Sequence, residues 1–184
     1  MTQSLLDEFK PVFSEIHRIV LNCGALYEKT ESRSYLSSSL SELSKLFECA
    51  SIISLKREVV MGLCRIDDDS KNKWSFHEIK KHVNNSGFNQ KFVSHTNVQV
   101  SAYRKKINIV KTKHRNSYIA HSSQQSYLNQ YPSKMELSEE LLECVLLAIE
   151  VGDFFAAECL EYTWGDVQND NFIDLRKYLT DIKL

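Results

Sequence analysis

The sequence has little of what interrupts helices: five glycines and two prolines occur in 184 residues. Folds built from strands and turns need many more turn residues, so this scarcity predicts long helices and an all-α fold. No run of about 18 uncharged apolar residues is present, so no membrane-spanning helix is expected. Asp7 and Glu8 precede any long apolar stretch, and therefore no secretory signal is expected either. A chain of this length predicts one domain, residues 1–184, with a substantial core.

Cysteine pairs at metal-binding or redox spacing are also missing. The five cysteines contain no Cys-x-x-Cys motif and leave one over in any pairing; they are Cys23, Cys49, Cys64, Cys144 and Cys159. This pattern predicts reduced core thiols in a cytoplasmic protein, without a disulfide framework or a zinc site. Glycine-rich phosphate-binding motifs are absent from the sequence, which excludes a P-loop or a dinucleotide-binding site at the motif level. No cofactor is expected.

Acidic residues are almost absent from the middle of the chain. Residues 71–130 contain 11 Lys and Arg side chains and a single acid, Glu78. Residues 136–184 contain 12 acids and 3 bases, so the overall net charge of −1 conceals regions of opposite sign. Two interpretations stay open. The basic middle pairs with acids inside one domain, or it lines a site for a polyanion such as RNA.

Apolar residues at steps of three and four predict two helices in the first half of the chain. The first stripe ends near Leu26, and Pro11 either kinks this helix or marks its true first turn. A second long helix is predicted over residues 33–65, because helical spacing persists through a serine-rich stretch. After the polar run that ends it, Ser75 is predicted to cap a short helix, with Glu78 completing a capping box.

Two more long helices are predicted in the second half. One resumes near Ser94 with an apolar stripe that continues into polar residues: Val100, Tyr103, Ile107, Val110, His114, Ser117 and His121. A break at Tyr131 and Pro132 precedes an acidic, very apolar helix over about 136–162, capped by Ser133 or Ser138 and ended by Trp164-Gly165. Its acids predict a solvated face or a docking surface for a basic partner. With a short terminal helix over 170–183, the sum is a bundle of four main helices with short additions.

The stripe changes character where it meets the densest basic run of the chain. Six Lys and Arg side chains lie between residues 104 and 115 with no acid among them, and the stripe continues in His114 and His121. Arginine offers a permanently charged planar fork for phosphate oxygens, and histidine gives or takes a proton near neutral pH. Together they suit metal-free RNA cleavage, in which the imidazole assists proton transfer and the guanidinium stabilises charge on phosphorus. Because one chain supplies a thin set of such groups, a two-fold homodimer is expected.

Residues 115–121 carry a specific resemblance. Their sequence, RNSYIAH, resembles the motif of arginine, polar residue and then histidine of the HEPN superfamily, in the form found in AbiU-type abortive-infection proteins. Arg65-Ile66-Asp67, followed by Ser75-Phe76 at the start of a short helix, is a weaker likeness to the same proteins. The resemblance covers about residues 5–160. It implies a HEPN-like helical bundle, usually dimeric, that acts as a metal-independent endoribonuclease on single-stranded RNA.

Carried over by position, the catalytic residues that the resemblance implies are Arg115, Asn116 and His121. The neighbouring residues Lys111, Lys113 and His114 are predicted to bind the RNA backbone. HEPN ribonucleases commonly serve as toxins in toxin–antitoxin or phage-defence systems, so a cognate antitoxin protein is an expected partner. Some are silenced by modification of a tyrosine two residues after the histidine. Ser123 occupies that position here, which argues against this form of silencing.

A non-enzymatic alternative gives the same residues a structural role. In it the chain is a helical dimerisation or interaction module, and Arg115 and His121 form a polar network at the dimer seam. A metal site is disfavoured, because His77 and His82 are poorly spaced for a shared ion. Residues 67–69 lack the glycine and the distant glutamate of an EF-hand, so a solvated loop is expected there.

Overall fold

Seven helices and one small hairpin make up the part of the chain that the computed structural model describes, residues 2–32, 37–69, 75–112, 137–166 and 171–182. The helices are α1 (Thr2–Glu8), α2 (Lys10–Ser32), α3 (Glu42–Ile66), α4 (Phe76–Asn85), α5 (Gln90–Val110), α6 (Glu139–Ala156) and α7 (Leu175–Thr180). The strands β1 (Thr163–Asp166) and β2 (Asn171–Asp174) pair antiparallel between α6 and α7. The fold is all-α, as the scarcity of glycine and proline predicts.

Short polar side chains begin five of these helices. Each accepts a hydrogen bond from the backbone N–H of the third helical residue; they are Ser41, Ser75, Asn89, Ser138 and Asp174. Such a cap satisfies a donor that the helix leaves unpaired and is worth about 1 kcal/mol. The predicted caps Ser75 and Ser138 are confirmed. The cap at Asn89 makes α5 begin at Gln90, earlier than the predicted start near Ser94.

The N-terminal helix is interrupted beside Pro11. α1 ends at Glu8, and α2 begins at Lys10, so that Pro11 occupies the first turn of α2. Proline is tolerated there because a backbone N–H in the first turn has no partner within the helix. The predicted interruption is confirmed, and the apolar stripe on both sides of it is buried from Leu5 to Leu26.

The four long helices α2, α3, α5 and α6 surround one hydrophobic core. α2 packs along α3, and α6 lies against both α2 and α5. α2 and α3 approach closely at Gly62, where an added Cβ atom would lie 2.5 Å from Cγ1 of Ile19. A side chain at this position would therefore force the two helices apart. The predicted bundle of four main helices is confirmed.

The serine-rich stretch is less helical than predicted. Residues 37–40 form turns, residues 33–36 lie outside the described residues, and α3 begins at Glu42. Serine side chains compete for backbone hydrogen bonds, so they favour a turn and a cap over a helix interior. Leu43, Leu46 and Phe47 in the first turns of α3 are 61%, 48% and 65% exposed, and this helix enters the core from Ile52 onward.

The C-terminal region differs most from the prediction. α6 ends at Ala156 and not near Trp164, because Ala157 adopts a left-handed conformation with φ 57° and ψ 25°. Residues 170–183 do not form one helix, since β2 precedes α7. The hairpin contains β-branched and aromatic residues, which favour strands; they are Thr163, Trp164, Phe172 and Ile173.

The cysteines are free thiols in the described structure. Cys23, Cys64 and Cys144 are buried, as predicted, and burial raises the pKa of Cys23 and of Cys144 to about 12. Cys159 is exposed, contrary to the prediction of a core position, because α6 ends before it. None of the described helices is long and apolar enough to cross a membrane.

Candidate functional site

The C-terminal half of α5 is fixed in the core by the predicted stripe. Its members are all buried: Val100, Tyr103, Ile107 and Val110. Tyr103 donates a buried hydrogen bond of 3.0 Å to the carbonyl oxygen of Leu63 near the end of α3. Its ring meets Phe76 of α4 edge-on, with centroids 5.0 Å apart. Burial raises the pKa of Tyr103, so the phenol stays a neutral donor. These contacts hold the last turns of α5 against the end of α3 and the start of α4.

Basic residues of α5 pair with acids from other elements. Three ion pairs do this: Arg104 with Asp69 at 2.9 Å, Lys106 with Glu143 of α6, and Lys111 with Asp67. The hydrogen bond from Arg104 lowers the pKa of Asp69. The internal pairing that the charge pattern left open is thus present for three of the six cations between residues 104 and 115. Lys105 is exposed and forms no ion pair with another described residue.

The pair between Lys111 and Asp67 is the most buried of the three. Asp67 is the C-cap of α3, and its side chain is 4% exposed, against 22% for Lys111. The side chains of Arg104 and Asp69 are 41% and 59% exposed, so water screens their attraction. A buried carboxylate that lost its cation would keep its full desolvation cost. Lys111 and Asp67 therefore lock the end of α5 to the end of α3, and residue 67 is not part of a solvated loop as expected.

Three helix ends meet beside this buried pair. α3 and α5 end there, and α6 begins nearby, since Lys106 in the last turns of α5 reaches Glu143 in the first turns of α6. The backbone widens into a π-type turn at Lys111 and Thr112, where the described part of this region stops. The end of the bundle is thus built from charged side chains on rigid helices.

A small polar cleft lies at the same end of the bundle. Its volume is about 160 Å³, and the described residues that line it are Met61, Cys64, Arg65, Asp68 and Lys111. Arg65 on its rim donates to Glu15 of α2 at 3.0 Å. Arg18 donates to the same carboxylate at 2.7 Å and to Glu58 of α3 at 2.7 Å. This network joins α2 to α3 and places the guanidinium group of Arg65 at the cleft.

Lys111 is the one predicted site residue that the structure describes. The other five lie outside the described residues, which stop at Thr112 and resume at Leu137: Lys113, His114, Arg115, Asn116 and His121. Both flanks of this stretch belong to the same end of the bundle, because α5 ends and α6 begins there. The ammonium of Lys111 is engaged by Asp67, and its contact with an RNA phosphate stays a prediction.

The described residues contain no cluster of three or more His, Cys, Asp or Glu side chains with the placement to hold a metal ion. Nδ1 of His82 lies 3.3 Å from Oε1 of Glu8, and its ring packs edge-on against Phe9. Two carboxylates of the acidic residues 67–69 pair with cations at the end of α5: Asp69 with Arg104, and Asp67 with Lys111. These side chains serve ion pairs and packing in the described structure.

Sequence reasoning missed the carboxylates that receive the basic residues of α5. Asp67 and Lys111 are 44 residues apart, and Asp69 and Arg104 are 35 apart. A signal existed, because an acidic run follows one predicted helix and a basic run lies on another. Periodicity gives neither helix a position in space, so it did not indicate that these two ends meet.

Comparisons with known proteins add no relative to this description. No protein-family model, no curated protein and no solved structure matches the chain at a significant level. What the chain does is therefore inferred from its own residues.

Proposed function

We propose that this protein is a metal-independent endoribonuclease of the HEPN type that cleaves single-stranded RNA. The observation that supports the proposal is the place of RNSYIAH in the chain, which begins three residues after the π-type turn that ends α5. That turn lies where α3, α5 and α6 meet, and the Lys111–Asp67 pair anchors it. A rigid anchor next to a catalytic motif favours the fixed geometry that acid–base catalysis needs.

The proposed reaction is an attack by a ribose 2′-oxygen on the adjacent phosphorus. A bond from the 2′-oxygen to phosphorus forms, the bond from phosphorus to the 5′-oxygen breaks, and no electrons are exchanged with a cofactor. His121 takes the proton of the 2′-hydroxyl or supplies one to the departing 5′-oxygen. Arg115 stabilises the negative charge that gathers on the phosphoryl oxygens, and Asn116 positions the two. The products end in a 2′,3′-cyclic phosphate and a 5′-hydroxyl.

A second copy of the chain completes the proposed site. One RNSYIAH motif supplies one histidine of this kind, whereas the reaction needs both a base and an acid. A two-fold homodimer brings two arginines and two histidines to one groove. Lys113 and His114 then bind the RNA backbone on either side of the cleaved bond.

The direct test is incubation of the purified chain with total RNA, followed by mapping of the new ends. We expect 2′,3′-cyclic phosphate ends that persist in strong chelator and disappear in Arg115→Ala and in His121→Ala. Matched controls are Arg57→Ala and His95→Ala, which remove an exposed arginine of α3 and an exposed histidine from the start of α5 and should leave cleavage unchanged. Cleavage that survives in His121→Ala, or that stops in chelator, would contradict the proposal.

The proposed biological role is that of a cytoplasmic toxin in a toxin–antitoxin or abortive-infection system. Expression of the chain should arrest growth, and His121→Ala should relieve the arrest while melting at the same temperature as the wild type. A cognate antitoxin would restore growth when co-expressed. Growth arrest that the His121→Ala variant still causes would separate toxicity from RNA cleavage.

A second candidate is the non-catalytic dimerisation or interaction module. Two observations favour it: half of the basic run is paired internally, and the first turns of α3 expose Leu43, Leu46 and Phe47. Such a module would not cleave RNA or arrest growth, and Arg115→Ala would disrupt its assembly state. The nuclease proposal makes a different prediction: Arg115→Ala abolishes cleavage and leaves a folded protein.

A further inference from the structure

An apolar pocket of about 400 Å³ lies between α2, the hairpin and α7. Leu21, Gly24 and Ala25 line it from α2, and Trp164 and Ile173 line it from the two strands. Trp164 and Ile173 are directly opposite each other in the ladder, so their side chains share one face of the hairpin. The volume falls within the range of small-molecule sites, about 300–1,000 Å³. None of the residues that line it belong to the polar cleft beside Lys111.

The pocket exposes large apolar side chains that no described residue covers. Trp164 and Ile173 are 59% and 48% exposed, although both belong to types that pack well when covered. Gly24 keeps α2 free of a side chain here, since an added Cβ would already touch Leu175 at 3.6 Å and Tyr178 at 3.8 Å. A ligand with an apolar body would bury this surface, whereas a larger residue at 24 or 25 would fill the same space.

A carboxylate gives the pocket a negative end. Glu28 is the one charged residue among the described residues that line it, and Oε1 of Glu28 accepts a hydrogen bond from the hydroxyl of Tyr178. The other oxygen, Oε2, has no hydrogen-bond partner among the described residues. Burial raises the pKa of Tyr178, and the hydrogen bond to Glu28 and the charges of Glu28 and Glu31 raise it further. Glu28 therefore gives this end of the pocket a negative charge beside the phenol of Tyr178.

We propose that this pocket binds a small hydrophobic amine, a molecule with an apolar body and one positively charged ammonium group. The body lies against Leu21, Ile173 and the open surface at Gly24. The ammonium group reaches Oε2 of Glu28, with the rings of Trp164 and Tyr178 adding cation–π attraction. Tyr178 holds the carboxylate in place before the ligand arrives, which lowers the ordering cost of binding. The site is independent of the proposed nuclease and requires no RNA.

Three probes with one body and different end groups test the charge preference. Phenylbutylamine is positive at neutral pH, phenylbutanol is neutral and phenylbutyrate is negative. We expect saturable binding to the full chain in the order amine, alcohol and acid, measured by calorimetry. Nuclear Overhauser contacts from the phenyl protons to the side-chain methyl groups of Leu21 and Ile173 should place the probe. Equal affinity for the amine and the acid, or no saturable binding at millimolar concentration, would overturn the proposal.

Two substitutions separate the charge from the cavity. Glu28→Gln keeps an acceptor for Tyr178 and removes the charge, so it should weaken the amine about fivefold and leave the alcohol unchanged. Its matched control is Glu150→Gln, an exposed glutamate on α6 that should change neither. Ala25→Leu fills the pocket and should abolish binding of the amine and the alcohol, whereas Ala102→Leu on exposed α5 surface should not. Unchanged amine binding in both Glu28→Gln and Ala25→Leu would refute the site, provided that the variants melt like the wild type.

Discussion

Replacement of Asp67 by asparagine should destabilise the protein strongly, although it only exchanges one carboxylate oxygen for an amide nitrogen. The substitution keeps the size of the side chain but removes the negative charge that faces Lys111 from a site that is 4% exposed. Breaking a fully buried pair by removing one partner costs about 3–5 kcal/mol. Lys111 is 22% exposed and regains some hydration, so the expected loss of unfolding free energy for Asp67→Asn is about 2 kcal/mol. Lys111→Met leaves the less exposed partner unpaired and should cost about 3 kcal/mol.

The interaction itself is isolated by a double-mutant cycle. The variant that carries both Asp67→Asn and Lys111→Met has no buried charge left, so it should be more stable than the sum of the single losses implies. The expected coupling energy is about 2 kcal/mol. Asp69→Asn is the matched control, because it makes the same change two residues away in a pair that is mostly exposed. It should leave the urea midpoint close to that of the wild type.

The measurement is equilibrium unfolding in urea, followed by circular dichroism. With a slope of about 2 kcal/mol per molar urea, Asp67→Asn should lower the midpoint by about 1 M. Equal shifts for Asp67→Asn and Asp69→Asn would refute the reasoning, since burial is the difference between the two pairs. A cycle in which the losses simply add would refute the contact between Asp67 and Lys111.

Three further predictions concern single groups. Tyr103→Phe leaves the carbonyl of Leu63 unpaired in the core, so thermal unfolding should show a loss of about 1–2 kcal/mol, and an unchanged melting temperature would contradict the buried bond. Arg104→Ala should raise the pKa of Asp69 toward 3.8, and a carboxyl-carbon titration by NMR will detect this change. Because the native pKa of Asp69 is lowered, its pair with Arg104 stabilises the fold above pH 3.8, and this stabilisation is lost as the pH falls through the native pKa. The thiols of Cys23 and Cys144 give the opposite pH dependence of stability, because burial raises their pKa from 9.0 to about 12. Their contribution to stability is present below pH 9.0 and is lost as the pH rises through about 12. At mildly alkaline pH a thiolate-selective reagent should therefore modify exposed Cys159 first, and equally rapid labelling of Cys23 would contradict its burial.

Features that depend on a few neighbouring residues could be predicted from the sequence. Ser75 caps α4 and Pro11 marks the start of α2, because both effects act within one helical turn. The stripe from Val100 to Val110 is buried because its spacing matches the helical repeat.

Features that depend on tertiary structure could not be predicted in this way. Alanine is the strongest helix former, so nothing about Ala157 as a residue type indicates the left-handed conformation that ends α6. The hairpin that follows is short, and its apolar residues also fit a helical pattern over so few positions. Asp67 and Lys111 meet because α3 and α5 end together, which periodicity does not show.

The candidate site divides along the same line. Arg115, Asn116 and His121 come from a local motif, so the sequence alone nominates them. The ion pair that precedes them in the chain, Lys111 with Asp67, depends on how two helix ends are placed. The residue types therefore indicate the proposed chemistry, whereas the packing of α3 and α5 determines where the helix that precedes the motif ends.

The missing side chain at Gly62 has a consequence beyond the core. Asp67 follows it by five residues, a distance of about 7.5 Å along α3. A methyl group at 62 would meet Ile19 and tilt the last turns of α3 away from α2. The tilt would move the Asp67 carboxylate as well. The fit between α2 and α3 at Gly62 therefore sets the distance over which Lys111 must pair with Asp67. Substitutions at this glycine should therefore weaken both the ion pair between Lys111 and Asp67 and the packing of α2 against α3.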